Sequence, residues 1–388
     1  MMLLPDRSDV DRERLAVSAA RALGLPGGVV LGEELGGSQR SLVVRATADG
    51  RPVVLKLPLT DPEAAAREEA ALRVAAGSGA PGVVPLLGVG EDPPVLVLAD
   101  LGAAPTLADR LLGDDPAAAT DALVAWGSAV GRLQAATADA RPTFEAALAS
   151  ASPLGAPDAD GVRDAVADAV AVLRREAPRL DPRAAFDDDT ADELTALVDH
   201  LDRAEAPRGL VPGDTCPDNA VLVEAGAGAP DGVRLLDFEG AAHRHVAWEA
   251  AYLALPWPSC WCSWRLPDHA VEAALAAWRE AVAPAVPASC SAADLASDVD
   301  AAVVAWTAVS AAWFLPSALE GDHGTSDPAR DHLVPRRRAL LQHRTRVAAE
   351  RAAATGAWPA LAGWSERLHA AAVSAWGDRP LDLAPAYR

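Results

Sequence analysis

Asp214 and Asn219 stand five residues apart in the run Gly213-Asp214-Thr215-Cys216-Pro217-Asp218-Asn219. A carboxylate at Asp214 could accept or orient the proton of a substrate hydroxyl, and the Asn219 amide could ligate a metal ion from the same loop. Downstream, Leu235-Leu236-Asp237-Phe238-Glu239 places an acid directly after a short apolar run. Asp237 there could hold Mg2+ between phosphates, with Glu239 as a candidate second ligand. Upstream, Lys56 lies in the β-type run Pro52 to Leu57, twelve residues before Glu68. A Lys held by a Glu can be aimed at the α- and β-phosphates of a nucleotide. Gly36-Gly37-Ser38, between two β-rich runs, offers bare backbone N–H groups that can approach phosphates closely. Taken singly these signals are weak, because Gly-Gly is most often a turn, a strand Lys most often faces solvent, and Asp-x-x-x-x-Asn arises by chance. Their order along one chain carries the reading.

Lys56 is also the sole lysine, the other 33 of the 34 basic residues being Arg. A chain this rich in Ala, Gly, Pro and Arg suggests a high-GC genome in which Arg has replaced Lys wherever either serves. A lysine kept against that drift points to a role for a compact ammonium that a planar guanidinium cannot fill; the alternative is chance persistence.

The elements that must position these residues follow from periodicity. Val29 to Ala46 holds two strand-like runs, followed by the Pro52–Leu57 strand, a helix opening at Asp61-Pro62-Glu63 and ending at Gly77, and strand-like runs Val83–Val89 and Pro94–Leu98. Beyond Asp100-Leu101-Gly102 the period turns helical, with stripes at Ala122, Trp126, Val130, Leu133 and at Val162, Val166, Val170, Leu173. Leu210 to Asp237 returns to strand and loop, with a hairpin around the Gly-rich stretch Glu224 to Gly232, and helices resume from Pro267 to Trp376. The predicted class is α+β: a β-rich part over 1–101 and a large helical part over 102–388 that carries one loop-and-hairpin insert.

Length fits two domains or one bilobal unit, and with 51% hydrophobic and 23% charged residues the 388-residue chain can bury a sizeable core. A net charge of −21 argues against nucleic-acid and anionic-membrane surfaces, leaving cationic small molecules as natural partners. Residues 1–101 carry a net −4 and the remainder −17, so the acidity belongs to the helical part, whether to attract a cationic substrate or for solubility. Met1 to Val10 has no apolar core, so no secretory signal is visible and a cytoplasmic location is expected. The uncharged stretch Ala301–Leu319 reads as a buried central helix rather than a membrane span. Cys216, Cys260, Cys262 and Cys290 read as free thiols in a reducing compartment, the Cys260–Cys262 spacing being a weak zinc signal without a second pair. No surface stripe specifies an oligomeric state.

On these motifs the chain resembles the aminoglycoside phosphotransferase and choline kinase branch of the protein-kinase-like fold, from about Val29 to Leu255, with the C-terminal helices matching in class alone. The resemblance implies a bilobal fold, with residues 1–101 as the nucleotide-binding N-lobe and 102–388 as the helical C-lobe. It implies ATP or GTP with Mg2+ as cofactors, Asp214 as the catalytic acid, and Asn219 and Asp237 as metal ligands. Lys56 matches the phosphate-binding lysine and Glu68, in preference to Glu69, its helix partner. The base would sit against the hinge Val97–Gly102, reached through backbone at Ala99 and Leu101. Two positions depart from the family pattern. The His before Gly-Asp, mostly a scaffold there, is Pro212 here, and the helix Asp that braces the catalytic loop is Glu249. The implied acceptor is a hydroxyl of an amino sugar, another antibiotic or an amino alcohol. A Ser or Thr of a peptide, and a pseudokinase that binds a ligand or partner protein, are the alternatives. Trp257, Trp261 and Trp264 read either as an aromatic wall of the acceptor pocket or as a plug between helical subdomains, the latter preferred; His243 and His245 read as surface or loop-bracing residues rather than substrate contacts.

Overall fold

Alternating apolar residues build the N-terminal sheet. Five antiparallel strands, β1 (Val29–Glu34), β2 (Ser41–Ala48), β3 (Arg51–Pro58), β4 (Leu86–Glu91) and β5 (Pro94–Ala99), lie in the order β1-β2-β3-β5-β4. The computed structural model describes residues 10–26, 28–35, 40–152, 162–226, 228–322, 324 and 331–388. On β3, Val53, Leu55 and Leu57 point to one face and join Leu42, Val44 and Ala46 of β2 in a small core. Side chains alternate along a strand, so Val54 and Lys56 take the opposite face, and the β2–β3 register sets Lys56 beside Val43. Helix α1 (Arg12–Ala22) closes the back of that core through Leu15 and Ala19, and Asp11 caps it by accepting from the Glu13 and Arg14 amides. This helix has no counterpart in the sequence reading, because Leu15, Ala19 and Ala20 make a narrow apolar stripe in a charged segment.

Helix α2 (Pro62–Gly77) follows β3, with Asp61 as N-cap and Pro62 in its first turn. Strand β4 begins at Leu86, later than the apolar run suggests. Val83 instead bridges to Leu235, and the Val84 amide donates to the Leu235 carbonyl at 3.1 Å, so the start of that run is drawn to the other half of the molecule.

The helical part comprises α3 (Leu107–Leu111), α4 (Pro116–Ala136), α5 (Arg141–Ala151), α6 (Val162–Leu180), α7 (Asp188–Leu201), α8 (Ala247–Ala254), α9 (Asp268–Val282), α10 (Ala292–Glu320), α11 (Arg337–Thr355) and α12 (Pro359–Trp376). The stripe Ala122, Trp126, Val130, Leu133 of α4 is buried, and α4 packs so closely on α9 that a Cβ at Gly127 would come within 2.5 Å of the Ala274 carbonyl oxygen. Helix α10 is long and apolar enough to cross a membrane by length and composition, yet most of it is buried among the other helices.

Two ribbons complete the fold: β6 (Arg208–Val211) pairs with β9 (Ala242–His245), and β7 (Ala220–Leu222) with β8 (Val233–Leu235). This pairing brings the β6–β7 loop, with Asp214 and Asn219, alongside the β8–β9 loop, with Asp237. Strand β9 also settles the two histidines. Both are buried; the His243 ring lies 2.9 Å from the Thr137 carbonyl oxygen and the His245 ring 3.1 Å from the Asp298 carboxylate, so they brace β9 from inside.

Candidate active site

The cleft face of β3 presents Lys56 to three carboxylates. Its Nζ lies 2.6 Å from Glu68 Oε2, 2.6 Å from Asp237 Oδ1 and 3.8 Å from Glu239 Oε2. Burial works against the charge on Lys56, but the neighbouring Glu68 and Asp237 outweigh it and raise its pKa, so the ammonium is permanent. Glu69 turns away and pairs with Arg73 one helical turn on. Glu239 also accepts from Arg40 at 2.9 Å, which leaves Asp237 as the more accessible carboxylate. Burial, followed by the charge of Asp237, pushes the Glu239 carboxyl up.

Next to this cluster a cavity of about 370 Å³ opens between the sheet and the ribbons. Its apolar walls include Val43, Val54 and Leu98 on one side and Val221 and Leu236 on the other, a slot suited to a planar ring. Ala99 and Leu101 are among the residues that line it. The Ala99 N–H is taken by the Pro85 carbonyl at 3.0 Å, so Ala99 cannot serve as a donor to a bound base. The next residue, Asp100, anchors the connection to the helical part by accepting from Arg45 at 2.7 Å and from the Gly102 amide at 2.8 Å. Gly36, Gly37 and Ser38 lie outside the described residues.

Opposite Lys56, the β6–β7 loop is held at both ends. Gly213 has φ +85°, and a Cβ there would fall 1.9 Å from the Gly240 carbonyl oxygen, so glycine is required by backbone conformation and by contact. That contact locks the Asp214 loop to the segment carrying Asp237, itself at φ +59°. The Asn219 amide nitrogen donates to the Asp214 carbonyl at 3.0 Å, closing the turn and leaving the Asn219 side-chain oxygen as a donor atom. Asn219, Asp237 and Glu239 border the same cavity and offer hard oxygen atoms, which suit Mg2+. Beneath the loop, fully buried Glu249 accepts from Thr215 Oγ1 at 2.5 Å and from Arg244 at 2.9 Å. The extra methylene relative to Asp is thus used to reach the hydroxyl of Thr215.

Asp214 accepts a hydrogen bond from Ser259 Oγ at 2.7 Å. Burial raises its pKa, hydrogen bonds from Ser259 and the Cys216 thiol oppose that, and the charges of Asp237 and Asp218 add to the rise. Ser259 belongs to the Pro256–Arg265 segment, which the structure divides in two. Trp257 and Trp264 are core residues, while Trp261 is half-buried and donates to Asp218 at 2.8 Å. Trp257 Nε1 donates to the Thr215 carbonyl at 3.2 Å and Tyr252 shares a 3.1 Å bond with Ser259, tying the segment to the Asp214 loop.

Sequence reasoning missed Ser259, Tyr252 and Arg344. Arg344, on α11, is 2% exposed and donates to the carbonyls of Pro258, Pro256 and Trp257 at 3.1–3.2 Å, with its guanidinium 5.0 Å above the Phe314 ring. Burial pulls its pKa down to about 9, so it remains a cation at neutral pH. A dense run of Trp and Pro was the available signal for a special loop, but nothing near it in sequence names its anchor.

The model of the phosphotransferase enzyme family matches residues 32–290. A search of curated protein sequences gives no match. Among solved structures, a Ralstonia eutropha JMP134 protein provisionally assigned as an aminoglycoside phosphotransferase is similar at 14% identity over 92% of this chain and 98% of that one, with TM-score 0.51. A macrolide 2'-phosphotransferase from Brachybacterium faecium aligns at 21% identity over 85% and 97% of the two chains, TM-score 0.47. A choline kinase from Cryptosporidium parvum aligns at 11% identity over 94% and 97%, TM-score 0.47.

Proposed function

We propose, for a chain that belongs to the phosphotransferase enzyme family, that it transfers the γ-phosphoryl group of ATP or GTP to a hydroxyl of a small, cationic molecule. The observation that carries the reading is the convergence on one cleft of Lys56, paired at 2.6 Å with both Glu68 and Asp237, with the Asp214–Asn219 loop on the far side. The apolar slot would take the base, and Lys56 would neutralise phosphate charge. Asp237 and Asn219 would hold Mg2+, with Glu239 beside them; the ion would supply charge neutralisation across the β- and γ-phosphates. Asp214 would receive the acceptor hydroxyl and align its oxygen with the γ-phosphorus, where positioning rather than covalent chemistry lowers the barrier. A carboxyl raised by burial is a stronger base than one in water, which suits that task.

Pro212 does not remove the loop's support in this reading. Glu249 through Thr215, Trp257 through the Thr215 carbonyl, and the Gly213–Gly240 contact hold the loop that a His would otherwise brace. The part of the chain that carries Asp214 is acidic, the residues beyond 101 having a net −17. An amino sugar, another aminated antibiotic or an amino alcohol fits that charge.

Thermal unfolding with MgATP, MgGTP, and each nucleotide plus EDTA tests the site. A ligand at about 100 times its Kd adds roughly 2.7 kcal/mol, enough for a shift of several degrees. A magnesium-dependent shift with either nucleotide is expected. No shift with either at millimolar concentration would overturn the reading and favour a pseudokinase.

A further inference from the structure

Three of the chain's four cysteines, distant in sequence, meet beside the Asp214 loop. Cys216 lies in the loop itself, and Cys260 and Cys262 lie in the segment between α8 and α9; all three are buried. Cys260 Sγ is 3.1 Å from Cys262 Sγ and 4.0 Å from Asp218 Oδ1. The ligand atoms of Cys216, Asp218 and Cys260 all fall within 4.8 Å of one another. We propose that Cys216, Cys260 and Asp218 form a site for a thiophilic divalent metal ion, zinc by preference, with the Cys262 thiol beside Cys260.

The distances suit it. With zinc–sulfur bonds near 2.3 Å and zinc–oxygen bonds near 2.1 Å, neighbouring ligands of a tetrahedral site lie about 3.6–3.8 Å apart. Cys216, Asp218 and Cys260 hold their ligand atoms within 4.8 Å of one another, so small side-chain rotations bring the three around one ion. Buried thiols alone would be unremarkable, since free cysteine packs as a small hydrophobe. Asp218 changes the case. Its Oδ1 meets the Cys260 thiol at a long 4.0 Å, and a cation between them would hold oxygen and sulfur more tightly than that contact does. The other Asp218 oxygen accepts from Trp261 Nε1 at 2.8 Å, the kind of outer bond that orients a ligating carboxylate. Asp218 is partly exposed and gives the ion a route in from solvent. Soft thiolates select against magnesium, so this site is chemically distinct from the oxygen set at Asp237 and Asn219.

The site has a structural consequence. Cys216 and Asp218 sit between Asp214 and Asn219, while Cys260 and Cys262 follow Ser259. One ion would therefore staple the Asp214 loop to the segment that bonds Asp214. This inference does not rest on the proposed transfer reaction and is read without nucleotide.

Reduced full-length protein, freed of metal by chelation, is titrated with Co2+ and then with Zn2+. The expected result is an intense thiolate-to-cobalt charge-transfer band in the near ultraviolet with tetrahedral bands in the visible, saturating at one equivalent and abolished by Zn2+. Cobalt on the Asp237 oxygens would give no thiolate band. Cys260→Ser and Asp218→Asn each should weaken or remove the band. Cys290→Ser should leave it unchanged, because that thiol is remote, contacting the Ser291 carbonyl at 3.7 Å. Circular dichroism on each variant separates loss of the site from loss of the fold. No band in folded wild-type protein overturns the proposal, as does a band of undiminished intensity in folded Cys260→Ser.

Discussion

The two sides of the cleft handle charge differently. Around Lys56 the side chains that would meet a nucleotide keep partial access to water: Lys56 is 13% exposed and Asp237 32%. Around Asp214 the supporting charges are sealed: Glu249 is 0% and Arg344 2% exposed. Sealing a charge is costly unless its partners are in place, so Glu249 has Thr215 and Arg244, and Arg344 has three carbonyls. The Lys56 side is a set of charges free to exchange partners when a ligand arrives. The Asp214 side is a preorganised frame whose buried network fixes one carboxylate. Variants on the two sides should therefore fail in different ways.

The largest effect is expected from Asp214→Asn, which keeps shape and removes the base. Transfer to any accepted hydroxyl should fall about 10²–10⁴-fold, the range for a positioned acid or base, while the magnesium-dependent nucleotide shift persists. Transfer at the wild-type rate in this variant would dismiss Asp214 from the chemistry. Arg344→Met tests the frame. Three carbonyls lose their donor, and an orphaned buried acceptor costs about 1–3 kcal/mol, partly offset by relieving a buried charge, so a loss of about 3 kcal/mol in urea unfolding is expected. The nucleotide-induced shift should survive in that variant, because Arg344 contacts nothing on the Lys56 side. A shift lost together with stability would show that the two sides are not separable.

Legibility in the sequence divides along the same line. Lys56, Glu68 and Asp237 could be singled out because Lys56 is the sole lysine, Glu68 follows it in a helix twelve residues on, and Asp237 closes a short apolar run, in an order that resembles one family. Asp214 and Asn219 were legible as a motif, and the helical stripe through Trp126 came from periodicity alone. The frame was not legible. Arg344 lies more than 80 residues from the carbonyls it holds, and one Arg among 33 carries no local mark of burial. Ser259 carries no local mark of its bond to Asp214, which the fold alone creates across 45 residues. Cys216 is separated from Cys260 by more than 40 positions, so the Cys260–Cys262 spacing had no visible partner. His243 and His245 were read without knowing that β9 would pair with β6 and bury them.

Lys56→Arg probes the Lys56 side at smaller scale. A guanidinium would span Glu68 and Asp237 as a planar fork and hold both more rigidly than an ammonium, leaving less charge to offer phosphate. Nucleotide affinity is expected to fall about tenfold, or about 1.4 kcal/mol, with overall stability little changed. Equal affinity in wild type and variant, measured by calorimetry, would mean that the sole lysine persists for no chemical reason.

Ser259→Ala should produce the smallest change, and its sign is fixed. Burial raises the Asp214 pKa and the Ser259 hydroxyl opposes that rise by bonding the carboxylate form. Removing the hydroxyl leaves the Cys216 thiol alone to oppose burial and the nearby Asp237 and Asp218 charges, so the pKa moves further up. The carboxylate is the form that receives the hydroxyl proton, so the acidic limb of the pH–rate profile should shift to higher pH. One hydrogen bond contributes about 0.5–1.5 kcal/mol, which corresponds to at most about one pH unit. The rate on the plateau above that limb should stay close to wild type, since Arg344 and Trp257 still hold the segment. A shift toward lower pH would mean that Ser259 accepts from a protonated Asp214 rather than donating to its carboxylate.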